Sequence, residues 1–308
     1  MELHQLRYFC AVASTGSFTR AAESAHVAQP SLSQQIRKLE DELGVKLIDR
    51  LGRETRLTTA GKRFLPRAQA ILKQVVDAKR EVEETCGALK GDVTLGVIPT
   101  IAPYFLPSRL ASFSVSHTDV RVRVIEEMTP TLIELLHAGS IDLALLALPV
   151  GGREFTAHEI GREPLFAVLP EAHPLAPARS VSLADIDCEQ FLLLKEGHCF
   201  RDTVISACKR ARVGCNVVFE SGQFATILAL VAAGVGVSVV PAMAVQPAAG
   251  CRFVRVQDAK AQRRFGLVHL KHHFLSRAQL ALLQELRSSN SSKPNQSRSP
   301  ALAGFRHF

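Results

Sequence analysis

A chain of 308 residues exceeds one ordinary domain and suffices for two or three, and 47% hydrophobic residues supply enough apolar side chain for packed cores. An excess of 37 Lys and Arg over 29 Asp and Glu, net +8, favours polyanionic partners such as nucleic acid or an anionic membrane surface. Seven scattered cysteines, odd in number and without a C-x2-C pair, exclude a zinc-ribbon-type site and argue for a reducing, cytoplasmic setting rather than a disulfide framework. The first residues, Met1 to Gln5, hold no positive run before an apolar stretch, so no secretory leader is expected. The most apolar window, Ile227 to Val245, is broken by Gly234, Gly236 and Pro241, and reads as helix, turn and buried strand rather than a membrane span.

Residues 1–57 carry short helical periods. Leu3, Leu6, Phe9, Val12 and Ala13 form one apolar face that Gly16-Ser17 interrupts. A second helix runs from Phe18 to Ala25, His26 to Ala28 make a turn, and a third helix opens at Pro30 and ends at Gly44. Two short helices about a tight turn are the helix-turn-helix pattern. The exposed face of the third helix is expected to carry Gln29, Ser31, Ser33, Gln34, Arg37 and Lys38, side chains suited to base edges and phosphates. Arg50, Arg53, Arg56 and Lys62, near Gly52, suggest a basic wing over the backbone.

Residues 58–89 predict one long helix, started by Thr58 or Thr59. Phe64, Ala68, Ile71, Val75, Ala78, Val82 and Thr85 alternate steps of four and three, a seam held over about three heptads. Such a seam favours packing on another helix, hence homodimerisation; the alternative is a helix lying on its own domain.

From 90 to 288 strand-like and helix-like segments alternate. Val93–Ile98, Val120–Ile125 and Ile141–Ala147 read as strands, with helices beginning at Thr100 and at Thr129. Buried apolar strands between helices predict an α/β lobe with a parallel sheet. A second lobe is expected at about 164–264, after which the chain returns through Phe265–Leu270 to a closing helix. Helix starts at Thr100 and Thr129 would face the cleft, as helix caps or as binders of a small polar or anionic effector. Residues 289–308 are polar and turn-rich and predict a disordered tail.

The runs Leu6-Arg7-Tyr8-Phe9, Gly16-Ser17-Phe18-Thr19-Arg20-Ala21-Ala22, Gln29 through Glu40, Leu43 through Arg50 and Leu57-Thr58-Thr59-Ala60-Gly61 resemble the LysR-type transcription regulators almost residue for residue. The resemblance covers nearly all of 1–288. It implies a mixed fold: an N-terminal all-α winged helix-turn-helix, a dimerising linker helix, and a two-lobed effector domain like a periplasmic binding protein. It carries DNA contacts to Gln29, Pro30, Ser31, Ser33, Gln34, Arg37, Arg53 and Arg56. It implies double-stranded promoter DNA, a second copy of the chain (as dimer or tetramer) and RNA polymerase as partners.

One segment bears chemistry of its own. In Lys195-Glu196-Gly197-His198-Cys199-Phe200-Arg201-Asp202, Asp202 suits a helix N-cap, so Cys199 is expected just before a helix start beside His198, Arg201 and Lys195. Such a setting favours a thiolate, the form that peroxide attacks. Cys208 lies inside that helix, on the order of 10 Å or more away by helical rise, whereas a disulfide needs Cα atoms within about 7 Å. An intact helix therefore forbids the bond, and forming it requires local refolding. The plain alternative is two small buried residues.

Gly197 through Asp202 with Cys208 resembles the redox motif of the peroxide-sensing OxyR branch of the LysR class. That resemblance makes Cys199 the peroxidatic thiol and Cys208 the resolving one. Thr100 and His198 would place the peroxide, Thr129 would line the pocket with Asp202 at its edge, and Arg201, with Arg263 or Arg264, would stabilise the thiolate. Cys215 lies near enough in sequence to compete with Cys208. The expected function is a peroxide-responsive DNA-binding activator, without enzymatic activity, cofactor or metal. Two rivals are a LysR-type regulator of a metabolite bound in the cleft and a two-lobed enzyme or solute-binding protein. The chain has no G-x-S-x-G and no H-E-x-x-H to support catalysis.

Overall fold

A computed structural model describes residues 1–51, 54–83, 89–258, 261–271 and 273–288. Arg53 and Gly52 of the expected wing, Thr85 of the helical seam and the expected tail lie outside them.

Three helices open the chain: α1 (Leu3–Thr15), α2 (Phe18–Ser24) and α3 (Gln29–Leu43). Their ends are where the sequence supplies stop and start chemistry. Gly16 and Gly44 take the left-handed conformation that closes α1 and α3, and the Ser17 hydroxyl accepts the Arg20 N–H to cap α2. Leu6, Phe9, Val12, Ala21, Ala22, Leu32, Ile36 and Leu39 meet in one core. A hairpin follows, β1 (Ile48–Leu51) against β2 (Glu54–Leu57), with Ile48 opposite Leu57. Glu40 of α3 fastens it. This carboxylate is 4% exposed and accepts the Leu47 and Ile48 N–H groups at 2.9 and 3.1 Å.

The long helix α4 spans Thr59–Glu83. The Thr58 hydroxyl accepts the Gly61 N–H at 2.9 Å and donates to the Lys46 carbonyl at 2.7 Å. Gly61 is obligatory there, since a Cβ would sit 2.0 Å from the Leu47 carbonyl oxygen. The predicted seam divides. Ala68 is fully buried in the N-terminal core, with Phe64 and Ile71 packed against it, whereas Val75 and Val82 are 36% and 75% exposed. Between these halves Lys73 binds Asp77 at 3.0 Å and Asp142 at 2.8 Å, and His273 approaches Asp77 at 3.7 Å. The first half thus lies on its own domain, and the second half leaves an apolar row uncovered.

The remaining chain runs β3 (Gly91–Val97), α5 (Ala102–Ser116), β4 (Val120–Glu126), α6 (Thr129–His137), β5 (Leu143–Leu148) and the long β6 (Phe155–Pro170). It continues with β7 (Ser180–Val181), β8 (Gln190–Leu194), α7 (Cys199–Ala211), β9 (Asn216–Ser221), α8 (Phe224–Ala232), β10 (Ser238–Pro241), β11 (Cys251–Val256), β12 (Gln262–Leu270) and α9 (Arg277–Arg287). The main sheet has the order β4-β3-β5-β12-β6-β11-β7, with β10 also on β6. Only part of it is parallel. β3 pairs with β4 and β5 in parallel, as strand-helix-strand units must, but β12 is antiparallel to both β5 and β6. The reason is connectivity: β6 carries the chain into the second lobe and β12 brings it back alongside. β8 and β9 form a separate parallel pair.

Each lobe has its own core. Leu95, Val97, Phe113, Leu132, Leu143, Leu145 and Leu282 belong to the first, and Phe191, Phe200, Val204, Cys208, Phe224 and Val231 to the second. No helix among the described residues is long and apolar enough to cross a membrane.

Two expected helix starts shift, and the third, at Thr129, holds without the residue acting as a cap. Thr100 lies in the turn ahead of α5, which begins at Ala102, so it caps nothing. Thr129 is the first residue of α6 rather than its cap, because Met128 holds the extended N-cap conformation. Asp202 lies within the first turn of α7, whose N-cap is His198, so Cys199 opens the helix instead of preceding it.

Candidate functional site

Two surfaces carry chemistry. On α3, Gln29, Pro30, Ser31, Gln34, Arg37 and Lys38 are exposed, as is Arg56 on β2. Ser33 is not: it is 7% exposed, turned among the packed helices, and this corrects its assignment to the outer face. The helical period explains the error. Ser33 follows Leu32 and precedes Ile36 by three, so it shares their buried side. The small hydroxyl passes for a surface residue in sequence because it also fits a close helix contact.

The second surface is built around Cys199. The chain leaves β8, turns at Gly197 (φ 93°) and enters α7 with the cysteine in its first position. Phe200, Val204 and Cys208 bury themselves in the second lobe, whereas the Cys199 side chain packs against the first. The thiol therefore bridges the lobe interface. Burial pushes the Cys199 thiol up from its ordinary range; the Thr129 hydroxyl, Arg263 and the Ala147 backbone favour its ionised form, and Asp202 opposes them. The thiolate expected from sequence is thus outweighed by burial in the resting fold.

The cation that faces the sulfur is Arg263. Its side chain is 1% exposed, and it donates from Nε to Glu163 at 2.6 Å and from Nη1 to the Thr100 hydroxyl at 3.0 Å. It also donates to the Thr100 carbonyl at 3.3 Å and lies over the Phe200 ring, 5.4 Å from the centroid. Glu163, 8% exposed, completes its bonding by accepting the Met243 N–H at 2.7 Å. Thr100, Arg263, Glu163 and Cys199 are thereby brought together. Arg264, the other candidate, is half exposed and pairs with Glu159. Arg201 pairs with Glu220 and the Leu194 carbonyl, so its bonds are made along the β8–β9 edge. Glu163 went unnoticed in sequence, since nothing local links it to an arginine 100 residues on.

Two polar atoms at this end of α7 are buried without a hydrogen-bond partner among the described residues: Thr129 Oγ1 and His198 Nε2. The hydroxyl stands near enough to the sulfur to favour its anion, yet it makes no well-aligned bond in the resting state. His198 is 3% exposed, and burial and Lys195 together hold its pKa down, so the ring is neutral. An unsatisfied buried hydroxyl or imidazole costs about 1–3 kcal/mol, which a small ligand with donors and acceptors would relieve. A 280 Å³ cleft lined by Thr100, Tyr104, Glu126, Gln223 and Phe224 among others shares Thr100 with the Arg263 cluster.

Cys208 is 1% exposed and shares a side-chain hydrogen bond with Cys215, while Cys199 contacts the opposite lobe. Nine helical steps separate Cys199 from Cys208, about 13 Å of rise.

Comparison with known proteins places these features. Residues 3–62 match the family described as bacterial regulatory helix-turn-helix protein, lysR family, and residues 87–291 match the LysR substrate binding domain. A hydrogen peroxide-inducible genes activator of Escherichia coli O6:H1 is 34% identical over 272 residues, which cover 87% of this chain and 89% of that protein. A full-length OxyR from Pseudomonas aeruginosa, bearing a cysteine-to-aspartate change, superposes with a TM-score of 0.77 at 31% identity, covering 93% of this chain and 98% of the other. A mutant OxyR from Corynebacterium glutamicum with hydrogen peroxide bound superposes with a TM-score of 0.60 at 32% identity, covering 93% of each chain.

Proposed function

The chain belongs to the LysR family of DNA-binding transcription regulators, and on that footing we propose that it is a cytoplasmic peroxide-responsive member in which Cys199 is the sensing thiol. It is a regulator and not an enzyme. Members of this family oligomerise, and the uncovered row on the outer half of α4 suits a second copy. The peroxide reading rests on the thiol at the lobe interface with two unsatisfied polar atoms around it. Hydrogen peroxide is neutral, with two O–H donors and lone pairs on both oxygens. A neutral imidazole and a hydroxyl suit it; an anionic metabolite would want cations. The neighbouring cleft presents Glu126 and is lined by no Lys or Arg among the described residues, which disfavours a carboxylate effector.

In this reading His198 and Thr129 hold the peroxide, with Thr100 positioning Arg263 toward the sulfur and Asp202 tempering the ionisation. The ionised Cys199 sulfur attacks one oxygen, the O–O bond breaks, and the departing hydroxide takes a proton to leave as water. Cys199 becomes a sulfenic acid. The Cys208 sulfur then attacks it, the S–O bond breaks, and a second water leaves with the Cys208 proton. The bond forms only if α7 unwinds, because about 13 Å of rise must shrink to within about 7 Å. That unwinding pulls Phe200 from the second core or Cys199 from the first, so oxidation reshapes the lobe interface. The change passes to the paired DNA-reading heads, which bind promoter DNA through Gln29, Pro30, Ser31, Gln34, Arg37 and the wing residues Arg53 and Arg56, and through them to RNA polymerase.

The test is Cys199→Ser. It should bind operator DNA with unchanged affinity and lose every peroxide-dependent change in footprint. A variant that still switches with peroxide would end the proposal and favour a metabolite effector.

A further inference from the structure

We propose that Cys215 is a third member of the redox element, which takes Cys208 from the Cys199–Cys208 disulfide by thiol–disulfide exchange and stores the oxidation as Cys208–Cys215. The proposal rests on reading Cys199 as the peroxide-reactive thiol, but it is carried by a different contact. At the end of α7 Arg212 takes the left-handed conformation (φ 59°) and Val213 N–H bonds back to the Cys208 carbonyl at 2.9 Å. The chain reverses on itself there, and Cys215, half-buried against the second-lobe core, shares a hydrogen bond with the Cys208 thiol.

The two possible disulfides therefore differ in what they demand of the fold. Cys199–Cys208 joins residues seated in different cores and requires α7 to open. Cys208–Cys215 joins two cysteines that already pack on one side of one core, just across the turn that ends α7, with α7 left helical. Exchange replaces one S–S bond by another, so its direction is set by the protein. Refolding α7 returns Phe200 and Val204 to full burial, each 1% exposed in the helical state, and favours the second bond. The two cysteines are also placed for it. In the reduced fold Cys208 donates to Cys215, which holds Cys215 below its ordinary range and Cys208 above it; the Asp187 charge opposes the first shift and adds to the second. Once Cys208 is tied into the disulfide it has no proton to donate, so exchange draws on the placement of Cys215 beside it.

The step balances. The Cys215 thiolate attacks the Cys208 sulfur of Cys199–S–S–Cys208, the Cys199 sulfur leaves as thiolate, and the proton given up by Cys215 is returned to it. One peroxide is consumed overall, two thiols are oxidised, and Cys199 is regenerated at its post. The signal state then decays without any reductant, since the helix that oxidation opened has closed again. A second peroxide would meet Cys199 without a free resolving partner, leaving a sulfenic acid.

The experiment uses the full-length protein with one equivalent of hydrogen peroxide, blocked with N-ethylmaleimide at intervals. Trypsin with a glutamate-specific protease cuts at Glu196, Arg201, Lys209, Arg212 and Glu220, placing each of the three cysteines on its own peptide for mass spectrometry. The Cys199–Cys208 linkage should rise first and give way to Cys208–Cys215 while the number of oxidised thiols stays constant. In Cys215→Ser the first linkage should persist, and in Cys199→Ser the Cys208–Cys215 bond should fail to form at this dose. A lasting Cys199–Cys208 bond in the unaltered protein, with Cys215 still alkylated, overturns the relay and leaves the sensor reading standing. A Cys208–Cys215 bond formed undiminished in Cys199→Ser overturns the relay as well. Absence of any Cys199 oxidation in all three proteins overturns the sensor reading and the relay together.

Discussion

Replacing Arg263 by Gln tests whether one buried guanidinium both holds the lobes and tunes the thiol. The side chains of Arg263 and Glu163 are 1% and 8% exposed, so removing the cation leaves a carboxylate in the interior without its counter-charge. Breaking one partner of a buried pair costs about 3–5 kcal/mol. At roughly 2–4 °C per kcal/mol for a domain of this size, that is a fall of roughly 6–20 °C in Tm. Glu163→Gln leaves the opposite orphan and should destabilise comparably, whereas the double variant, with two neutral amides able to bond each other, should recover much of the loss. The thiol separates the two single variants. Arg263 favours the Cys199 anion, so its removal raises the thiol pKa further and slows alkylation at neutral pH, about tenfold for each unit. Removing Glu163 frees the arginine toward the sulfur and should speed alkylation. Iodoacetamide rates against pH, read at the Cys199 peptide, give the comparison. If both single variants slow the thiol alike, the electrostatic account is wrong and Arg263 acts only as scaffold.

Three further perturbations probe other parts of the chain. Gly61→Ala sets a Cβ 2.0 Å from the Leu47 carbonyl oxygen, so the start of α4 must shift; a loss of about 1–3 kcal/mol is expected by calorimetry, with weaker operator binding in a gel shift. Arg37→Ala and Arg56→Ala should each weaken DNA binding. An arginine that neutralises a phosphate should, when removed, lower the slope of log K against log salt by about one, whereas an arginine that reads a base edge should, when removed, relax sequence preference instead. His158 and His269 face each other at 3.2 Å between Nε2 atoms, and burial holds both pKa values below the ordinary histidine range. The unfolded chain then binds more protons than the folded one, so stability is full above the unfolded histidine pKa and falls as pH drops through and below it. Urea midpoints across that range should show the fall, and His158→Gln should flatten it; an unchanged slope would mean that the pair does not titrate with folding.

What the sequence revealed follows the range over which each interaction acts. The first four helices were legible because their periods, their glycine stops at Gly16 and Gly44, and the Thr58 start signal are local. The partial heptad showed a seam but not its division, since Ala68 and Val75 look alike in sequence and differ only in what stands opposite them. Strands β3 and β5 announced themselves by buried apolar runs, whereas the antiparallel pairing of β6 and β12 depends on a return crossing that no window contains. Around the sulfur, His198, Thr129 and Thr100 were foreseen. Arg201 drew weight from its adjacency in sequence, yet its bonds run to Glu220 and the Leu194 carbonyl; the choice between Arg263 and Arg264 stayed open because Arg263 lies 163 residues from Thr100 and meets it only once both lobes are built. Asp202 was assigned the cap because its side chain suits one; the backbone at His198 turns earlier and makes that bond unnecessary.

The long helix is gripped at two places by two different bodies: Ala68 sinks into the reading head, and little more than a turn onward Lys73 is clasped by Asp142 of the first lobe. Helical geometry allows almost no twist between grips so close together. The joint therefore behaves as a welded crank, and tilting the lobe would swing the attached recognition helix through an arc set by the shaft, so that a rearrangement at the lobe interface would reach the spacing of contacts along a duplex.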